Sequence, residues 1–251
     1  MLTLYNFPQS TCSQKVRLSL FEKGLEFEDR ILKGNEYEHL SDWYLELNPN
    51  GVVPTLVHDD AVIIDSSVIL EYLDEVFPEP SLTMPDAVGR AHMRKWLRYF
   101  EEVPTPAIRV PSFNDYIARR YDNMDDATYK ALRDKHTVRR HFYDRLAKNR
   151  FSEAETKEAM ERLQQSVDRV NDALADGRPW IMGDRLTDAD LCLLPTIDRL
   201  NDLGHAGMWA ERPHIAGWYD RFRQRPSFAK TYYKGTRLSE NYQRREPAAA
   251  E

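Results

Sequence analysis

Cysteine is nearly absent. Cys12 and Cys192 are the two in 251 residues, far apart in the chain. The N-terminus shows no basic region followed by an apolar one, so the pair reads as free thiols and the expected compartment is the cytoplasm. There is no CxxC and no HExxH. The seven histidines lack metal-ligand spacing, so no metal is expected. Positive charge is in deficit: the formal net charge is −6, which gives no reason to expect nucleic acid as a partner. No basic block is long enough to suit a membrane surface, and no apolar run approaches the ~20 residues that cross a bilayer. Internal repeats are also missing. What is present is 41% apolar and 30% charged residues, enough for a core and a well-solvated surface. The length suits one large domain or two small ones.

The first stretch is the most informative. Residues 2–6 have strand character, residues 7–11 form a loop, and a helix follows from Cys12 or Ser13 to Gly24, with Leu18, Phe21, Val16 and Leu20 facing inward. Gly24 suits the left-handed residue that ends a helix. Ser10, Thr11, Cys12 and Ser13 therefore cluster at a helix N-terminus. Free N–H groups and the helix dipole stabilise an anion there, and a thiolate is an anion. A Ser cap followed by a small buried cysteine would give the same local pattern.

Residues 25–32 alternate and read as a second strand, which completes a βαβ unit with a parallel pair. Tyr37, Leu40, Trp43, Tyr44 and Leu47 have the spacing of a short helix, and Asn48-Pro49-Asn50-Gly51 is a turn. Residues 52–58 are strand-like, but Pro54 supplies no ladder donor. A cis Val53–Pro54 bond would turn the Val53 N–H and C=O outward, where they can grip a peptide-like ligand. A trans proline on an edge strand is the alternative. Asp59-Asp60 closes a hairpin onto residues 61–64. Asp65, Ser66 or Ser67 then caps a helix that runs to Phe77. That cap sets a carboxylate, a hydroxyl and free N–H groups where both ends of an amino acid would fit. Residues 78–88 form a proline-rich linker.

Helical periodicity dominates from Gly89. Residues 91–100 open a helix that Pro104 and Pro106 interrupt. Ile108, Phe113 and Tyr116 follow among apolar side chains that either line a pocket or pack a core. The charged run over 124–150, with Arg139-Arg140-His141 and Arg145, reads as a solvated helix face. Residues 152–175 form a long amphipathic helix. Thr187-Asp188-Ala189-Asp190 is a capping box with Leu186 in the staple position, and the apolar helix after it buries Cys192. A last helix spans 214–225, and the tail 246–251 is expected to be disordered.

Four stretches, in this order, resemble the cytosolic glutathione transferase family over nearly the whole chain. They are Ser10-Thr11-Cys12-Ser13-Gln14-Lys15-Val16-Arg17, Asn48-Pro49-Asn50-Gly51-Val52-Val53-Pro54-Thr55-Leu56, Asp65-Ser66 with Ile69, and Gly183-Asp184-Arg185-Leu186-Thr187-Asp188-Ala189-Asp190. The resemblance implies an α/β thioredoxin-like N-terminal domain (βαβ-ββα, residues 1–80) followed by an all-α helical domain (residues 89–251). It implies glutathione as co-substrate, and a homodimer that sets the first domain of one subunit against the second of the other. Val53, beside a cis Pro54, would bind the cysteinyl backbone of glutathione, and Asp65 with Ser66 its γ-glutamyl end. His39 is a weaker candidate, by the same resemblance, for the glycine carboxylate; Val52 departs from the Lys or Gln often found before the Val-Pro pair and cannot make that contact.

The same resemblance implies that the glutathione thiolate attacks a hydrophobic electrophile resting near Ile108, Phe113 and Tyr116. Ser13 is the first choice of thiolate donor and Ser10 the zeta-type alternative. Cys12 would either hydrogen-bond the thiolate or attack a glutathionyl adduct. The first-helix stretch is similar to zeta-class enzymes and to tetrachlorohydroquinone dehalogenases. Residues 22–28, 39–43 and 76–79 resemble bacterial β-etherases. Extra length over residues 110–150 favours aryl-ether cleavage or reductive dehalogenation over maleylacetoacetate-type isomerisation. A thiol reductase and a non-enzymatic binding protein are the other readings. Retention of Val53, Pro54, Asp65 and Ser66 counts against the last.

Overall fold

The computed structural model describes residues 1–146 and 150–244, so the tail expected to be disordered lies outside the described residues. Strands β1 (Leu2–Asn6), β2 (Glu28–Ile31), β3 (Thr55–His58) and β4 (Ala61–Ile64) form one sheet in the order β2-β1-β3-β4. β2 is parallel to β1, and β3 is antiparallel to both its neighbours. Helices α1 (Thr11–Glu22), α2 (Asp42–Leu47) and α3 (Ser66–Val76) alternate with the strands. The rest of the described chain is helical: α4 (Ala87–Glu102), α5 (Pro104–Ser112), α6 (Asp126–Lys135), α7 (Arg140–Leu146), α8 (Glu153–Ala173), α9 (Asp188–Asp202), α10 (Pro213–Arg223), α11 (Pro226–Thr231) and α12 (Leu238–Asn241). This is a thioredoxin-like sheet layer followed by a helical layer.

The register gathers four connections at one end of the sheet. Tyr5 pairs with Thr55, Thr55 with Ile64, and Asn6 with Ile31. The loops leaving β1 and β2, the turn entering β3 and the start of α3 therefore open on the same side. Paired Cα atoms lie only about 5 Å apart, so the Val53-Pro54 turn and the Asp65-Ser66 cap are neighbours by construction.

α1 departs from the expected one-faced helix. Every residue from Cys12 to Leu20 is buried. Val16 and Leu20 pack with Leu2, Leu4, Leu56, Ile69 and Leu73 in the core beneath the sheet. Leu18 faces the other way, into the large core that includes Phe100, Leu163, Leu191 and Trp218. Burying such a side chain contributes about 1.5–3 kcal/mol, so α1 supplies stability to both layers. Its buried charges are matched: Lys15 Nζ lies 2.5 Å from Glu101 and 3.2 Å from the Thr105 hydroxyl, and Glu22 takes two hydrogen bonds from Arg225 at 2.6 Å each. Gly24 ends the helix at φ +64°, as a left-handed terminus requires.

Several elements are shorter or differently wound than the sequence pattern suggests. β2 keeps only four of the eight alternating residues, because it is an exposed edge strand. The helix expected over 37–47 is split. Two 3₁₀ turns flank Tyr37, which sits at φ +55°, and only Asp42–Leu47 is α-helical. β3 begins after Pro54 rather than at Val52. α4 starts at Ala87, earlier than the periodicity implies, because Asp86 caps it through the Gly89 N–H. α5 continues through a π-helical turn, Phe113–Ile117. α11 and α12 are short additions that the sequence pattern does not announce.

Candidate active site

A cavity of about 530 Å³ opens at this end of the sheet, between the sheet loops and the helical layer. Its floor is the start of α1. Ser10 caps the helix, with φ −74° and ψ 119°, and its Oγ accepts from the Ser13 N–H at 3.3 Å. The hydroxyl proton of Ser10 is not used in that bond and is free to donate. Ser10, Thr11 and Cys12 all line the cavity, and Cys12 is 9% exposed. Ser13 does not line it: it is 0% exposed, and its hydroxyl has no hydrogen-bond partner among the described residues. The expected first-choice donor is thus rotated into the interior, because successive helical residues turn by about 100°. Thr11, adjacent to the expected residues, lines the cavity instead.

The loop that carries Ser10 is clamped from the far end of the chain. Arg199 on α9 donates to the Gln9 carbonyl at 2.5 Å, Gln9 donates to the Gly235 carbonyl at 3.0 Å, and Gln14 donates to the carbonyls of Pro8 and Thr236. These contacts fix the cap geometry without using the hydroxyls or the thiol.

The second wall is the turn before β3. Asn50 N–H binds the Asn48 side chain, Gly51 N–H binds the Asn48 carbonyl, and Gly51 is at φ +58°. A Cβ at Gly51 would sit 3.0 Å from a Leu40 methyl, so the turn needs glycine for space as well as for φ. The Val52 carbonyl is held by the Tyr44 hydroxyl at 2.8 Å and by Asn48 at 2.9 Å. The next peptide bond, Val53–Pro54, is cis. The Val53 N–H and C=O have no partner among the described residues, and Val53 lines the cavity. An extended peptide can pair with them as an added strand does.

Asp65 and Ser66 lie outside the cavity lining, at the start of α3, which the β3–β4 register sets beside the Val53-Pro54 turn. Asp65 is an exposed cap at φ +72°, and its carboxylate accepts from Ser67 N–H and Val68 N–H. A non-glycine residue held there is strained by about 1–3 kcal/mol, and such strain concentrates at ligand clamps. Ser66 is buried, with the α3 backbone.

Ile108 and Phe113 line the opposite wall with Ile117, Tyr121 and Tyr143. Tyr116 does not; it is buried in the large helical core. The π-helical turn at Phe113–Ile117 takes up one residue more than an α-turn, which sends Phe113 and Ile117 to the cavity and Tyr116 away from it.

His39 lines the cavity, its ring edge-on to Phe7 at 5.1 Å and 5.7 Å from the ring of His136. His136 stacks on Tyr143 at 3.9 Å. Burial, then His136, Arg120 and Arg139, pull the His39 pKa down to about 3. Burial and Arg139 pull His136 down to about 4. Both imidazoles are neutral at physiological pH and offer hydrogen bonds rather than charge.

The charged run over 124–150 is not merely a solvated face. Arg139 and His136 reach the cavity, as do Arg109, Arg120 and Arg199. Among the described residues, no Asp or Glu lines it. Sequence reasoning missed these residues, because a charged residue that faces a cavity is indistinguishable in pattern from one that faces solvent. Among the described residues no cluster of three or more His, Cys, Asp or Glu side chains could hold a metal. No helix there is long and apolar enough to cross a membrane.

A thioredoxin-like sheet that presents a free peptide group and a capped helix start to an aromatic-walled cavity defines a class, and comparison with known proteins agrees. Residues 9–76 match the glutathione S-transferase N-terminal domain and residues 153–221 the glutathione S-transferase C-terminal domain. The chain belongs to the glutathione S-transferase family, enzymes whose co-substrate is glutathione. Among its relatives, Protein LigF of Sphingobium sp. (strain NBRC 103272 / SYK-6) is 30% identical over 246 residues, covering 94% of this chain and 95% of LigF. The tetrachloro-p-hydroquinone reductive dehalogenase of Sphingobium chlorophenolicum is 28% identical, covering 90% of this chain and 94% of its own. The crystal structure of beta-etherase LigF from Sphingobium sp. strain SYK-6 superposes with a TM-score of 0.83 at 29% identity, covering 92% of this chain and 98% of that one. The free Val53 peptide group fits glutathione, a tripeptide-like molecule that needs backbone partners.

Proposed function

We propose that this enzyme transfers the glutathione sulfur to a hydrophobic aromatic electrophile, in a reaction of the β-aryl-ether cleavage or reductive dehalogenation type. One observation carries the reading: a single cavity joins the α1 cap, the free Val53 peptide group and an aromatic wall. Glutathione pairs its cysteinyl backbone with Val53. Its γ-glutamyl end lies at the Asp65-Ser66 cap and its glycyl end toward His39. Its sulfur then rests at the start of α1, where the Ser10 hydroxyl donates to the thiolate while accepting from Ser13 N–H. A free thiol has a pKa near ~8.5, so a donor and a helix N-terminus raise the reactive fraction at neutral pH. The C–S bond forms as the electrophile's carbon loses its aryloxide or halide. The division of labour follows residues 1–80 for glutathione and residues 89–251 for the electrophile.

Cys12 supports a second, reductive route. Its thiolate attacks the sulfur of the glutathionyl adduct, an S–S bond forms, and the C–S electron pair leaves with carbon, which takes a proton. A second glutathione then releases glutathione disulfide and restores Cys12. Cys12 is free, as is the buried Cys192, which suits a reducing cytoplasm. The exposed Val62 on β4 and Val68 and Val76 on α3 support a homodimer.

A glutathione-dependent turnover screen over aryl ethers, chlorinated hydroquinones, maleylacetone and mixed disulfides, read by mass spectrometry, tests the proposal. Conjugates or ether cleavage products that persist in Cys12→Ser support direct transfer. Turnover confined to mixed disulfides and lost in Cys12→Ser would replace it with a thiol reductase.

A further inference from the structure

The cavity has the opposite charge from the protein that holds it. The chain carries a net −6, yet among the described residues the cavity lining contains four arginines and Lys33 and no acidic side chain. Two of those arginines have protein partners that account for them. Arg199 holds Gln9 and faces Asp202 at 3.5 Å, and Arg120 donates to the Gly34 carbonyl and lies over the Tyr37 ring at 5.0 Å. Arg109, on α5 between Ile108 and Val110, and Arg139, just before α7, have neither an ion pair nor a side-chain hydrogen bond among the described residues. Arg139 stands within electrostatic reach of Arg109 and of the Cys12 thiol. Burial, then the Arg109 charge, pull the Arg139 pKa below its ordinary value, more than Cys12, Tyr143 and Glu101 raise it.

Partly buried guanidiniums that line one cavity with no acidic side chain in its lining are costly unless an anion joins them. We propose that Arg109 and Arg139 receive an anionic group, a carboxylate or a phenolate, carried by the aromatic electrophile, so that the enzyme selects negatively charged aryl substrates. This rests on reading the cavity as the transferase site. Arg109 belongs to the electrophile wall, on α5 next to Ile108, rather than to the sheet loops that face glutathione. The neutral rings of Phe113, Tyr121 and Tyr143 provide apolar contact for the arene, while the planar guanidiniums match a planar carboxylate with paired N–H donors.

The test uses 4-chloro-3-nitrobenzoate and its methyl ester, with glutathione displacing chloride from each. The acid is expected to show a kcat/KM at least about tenfold above the ester, although the ester is intrinsically the more reactive. In an Arg109→Gln, Arg139→Gln variant that retains the wild-type thermal midpoint, that ratio should collapse toward one, and Arg109→Lys should keep part of it. A wild-type ratio at or below one overturns the proposal. So does a double variant in which the ratio persists while KM for glutathione rises, which would assign the arginines to a glutathione carboxylate. Calorimetric titration of each aryl compound in the absence of glutathione covers the case in which neither turns over. Tighter binding of the acid, lost in the double variant, keeps the anion site even if the transferase reading fails, and equal binding ends it. Calorimetry with glutathione alone tests the transferase reading separately.

Discussion

The starts of α1 and α9 are built from the same local chemistry and do different things. Each is a helix capped by a hydroxyl residue, and each sits near the boundary between the two layers. At α9 the donors around the cap are consumed, although the carboxyl of Asp188, the first helical residue, is buried without a hydrogen-bond partner among the described residues. The Asp190 carboxylate accepts from the N–H groups of Ile181 and Thr187, from the Thr187 hydroxyl and from the Trp218 indole, at 2.9–3.1 Å, and all of it is buried. At α1 the Ser10 oxygen accepts one N–H, and Ser10, Thr11 and Cys12 line a cavity. A helix start becomes a site only when its surroundings leave donors unspent. The capping sequence alone does not decide this.

The contrast can be broken first at α9. Asp190→Ala would leave four buried donors unpaired and should cost about 3–5 kcal/mol, seen as a fall of roughly 10 °C in the thermal midpoint. A loss of about one degree or less would mean that α9 does not depend on its cap. At α1 the order of effects should reverse. Ser10→Ala should lower kcat/KM about 10²-fold, with a stability loss of only about 1 kcal/mol from the missing cap. Equal losses in activity and stability would remove Ser10 from the chemistry.

A pH titration of stability sharpens the same comparison. Burial, against its hydrogen bonds, raises the Asp190 carboxyl to about 6. Between about pH 4 and pH 6 the folded chain therefore binds more protons at this site than the unfolded one. Its contribution is fully present below about pH 4 and lost as pH rises through about 6. His136 has the opposite sign: its folded pKa of about 4 lies below the ordinary 6.5, so its contribution is present above 6.5 and lost as pH falls through about 4. Asp190→Asn should steepen the acid-side loss of stability over this window, and His136→Gln should flatten it. Thermal midpoints measured from about pH 4 to 7 on both variants would show whether the slopes move in opposite directions. The smallest expected effect is Ser13→Ala, which should change kcat/KM by less than about threefold, since its hydroxyl faces the interior. A loss as large as that of Ser10→Ala would return Ser13 to the site.

What the chain discloses before folding depends on how local the cause is. The strand and helix order, the Gly51 turn, the Pro54 problem and the α9 cap are each decided by a few neighbouring residues, and they are legible. The choice between Ser10 and Ser13 turns on where a helix begins, one residue of phase. Tyr116 lost its place at the cavity through a π-helical turn that no periodicity announces. Arg109, Arg139 and His136 reach the cavity only because α5 and the segment before α7 meet the sheet loops across the fold. The charge run that holds Arg139 has the pattern of an ordinary solvated face.

The burial of α1 on both sides also bears on how such enzymes diversify. A helical layer that recognises a different acceptor cannot simply be grafted onto this sheet. Glu101 and Thr105 close on Lys15, Arg225 and Ser227 close on Glu22, and Leu18 fills a space among the helices. Recombination between relatives would yield a folded chimera only where these partners travel together. The interlocking pairs are therefore a compatibility code that can be read before any hybrid is made.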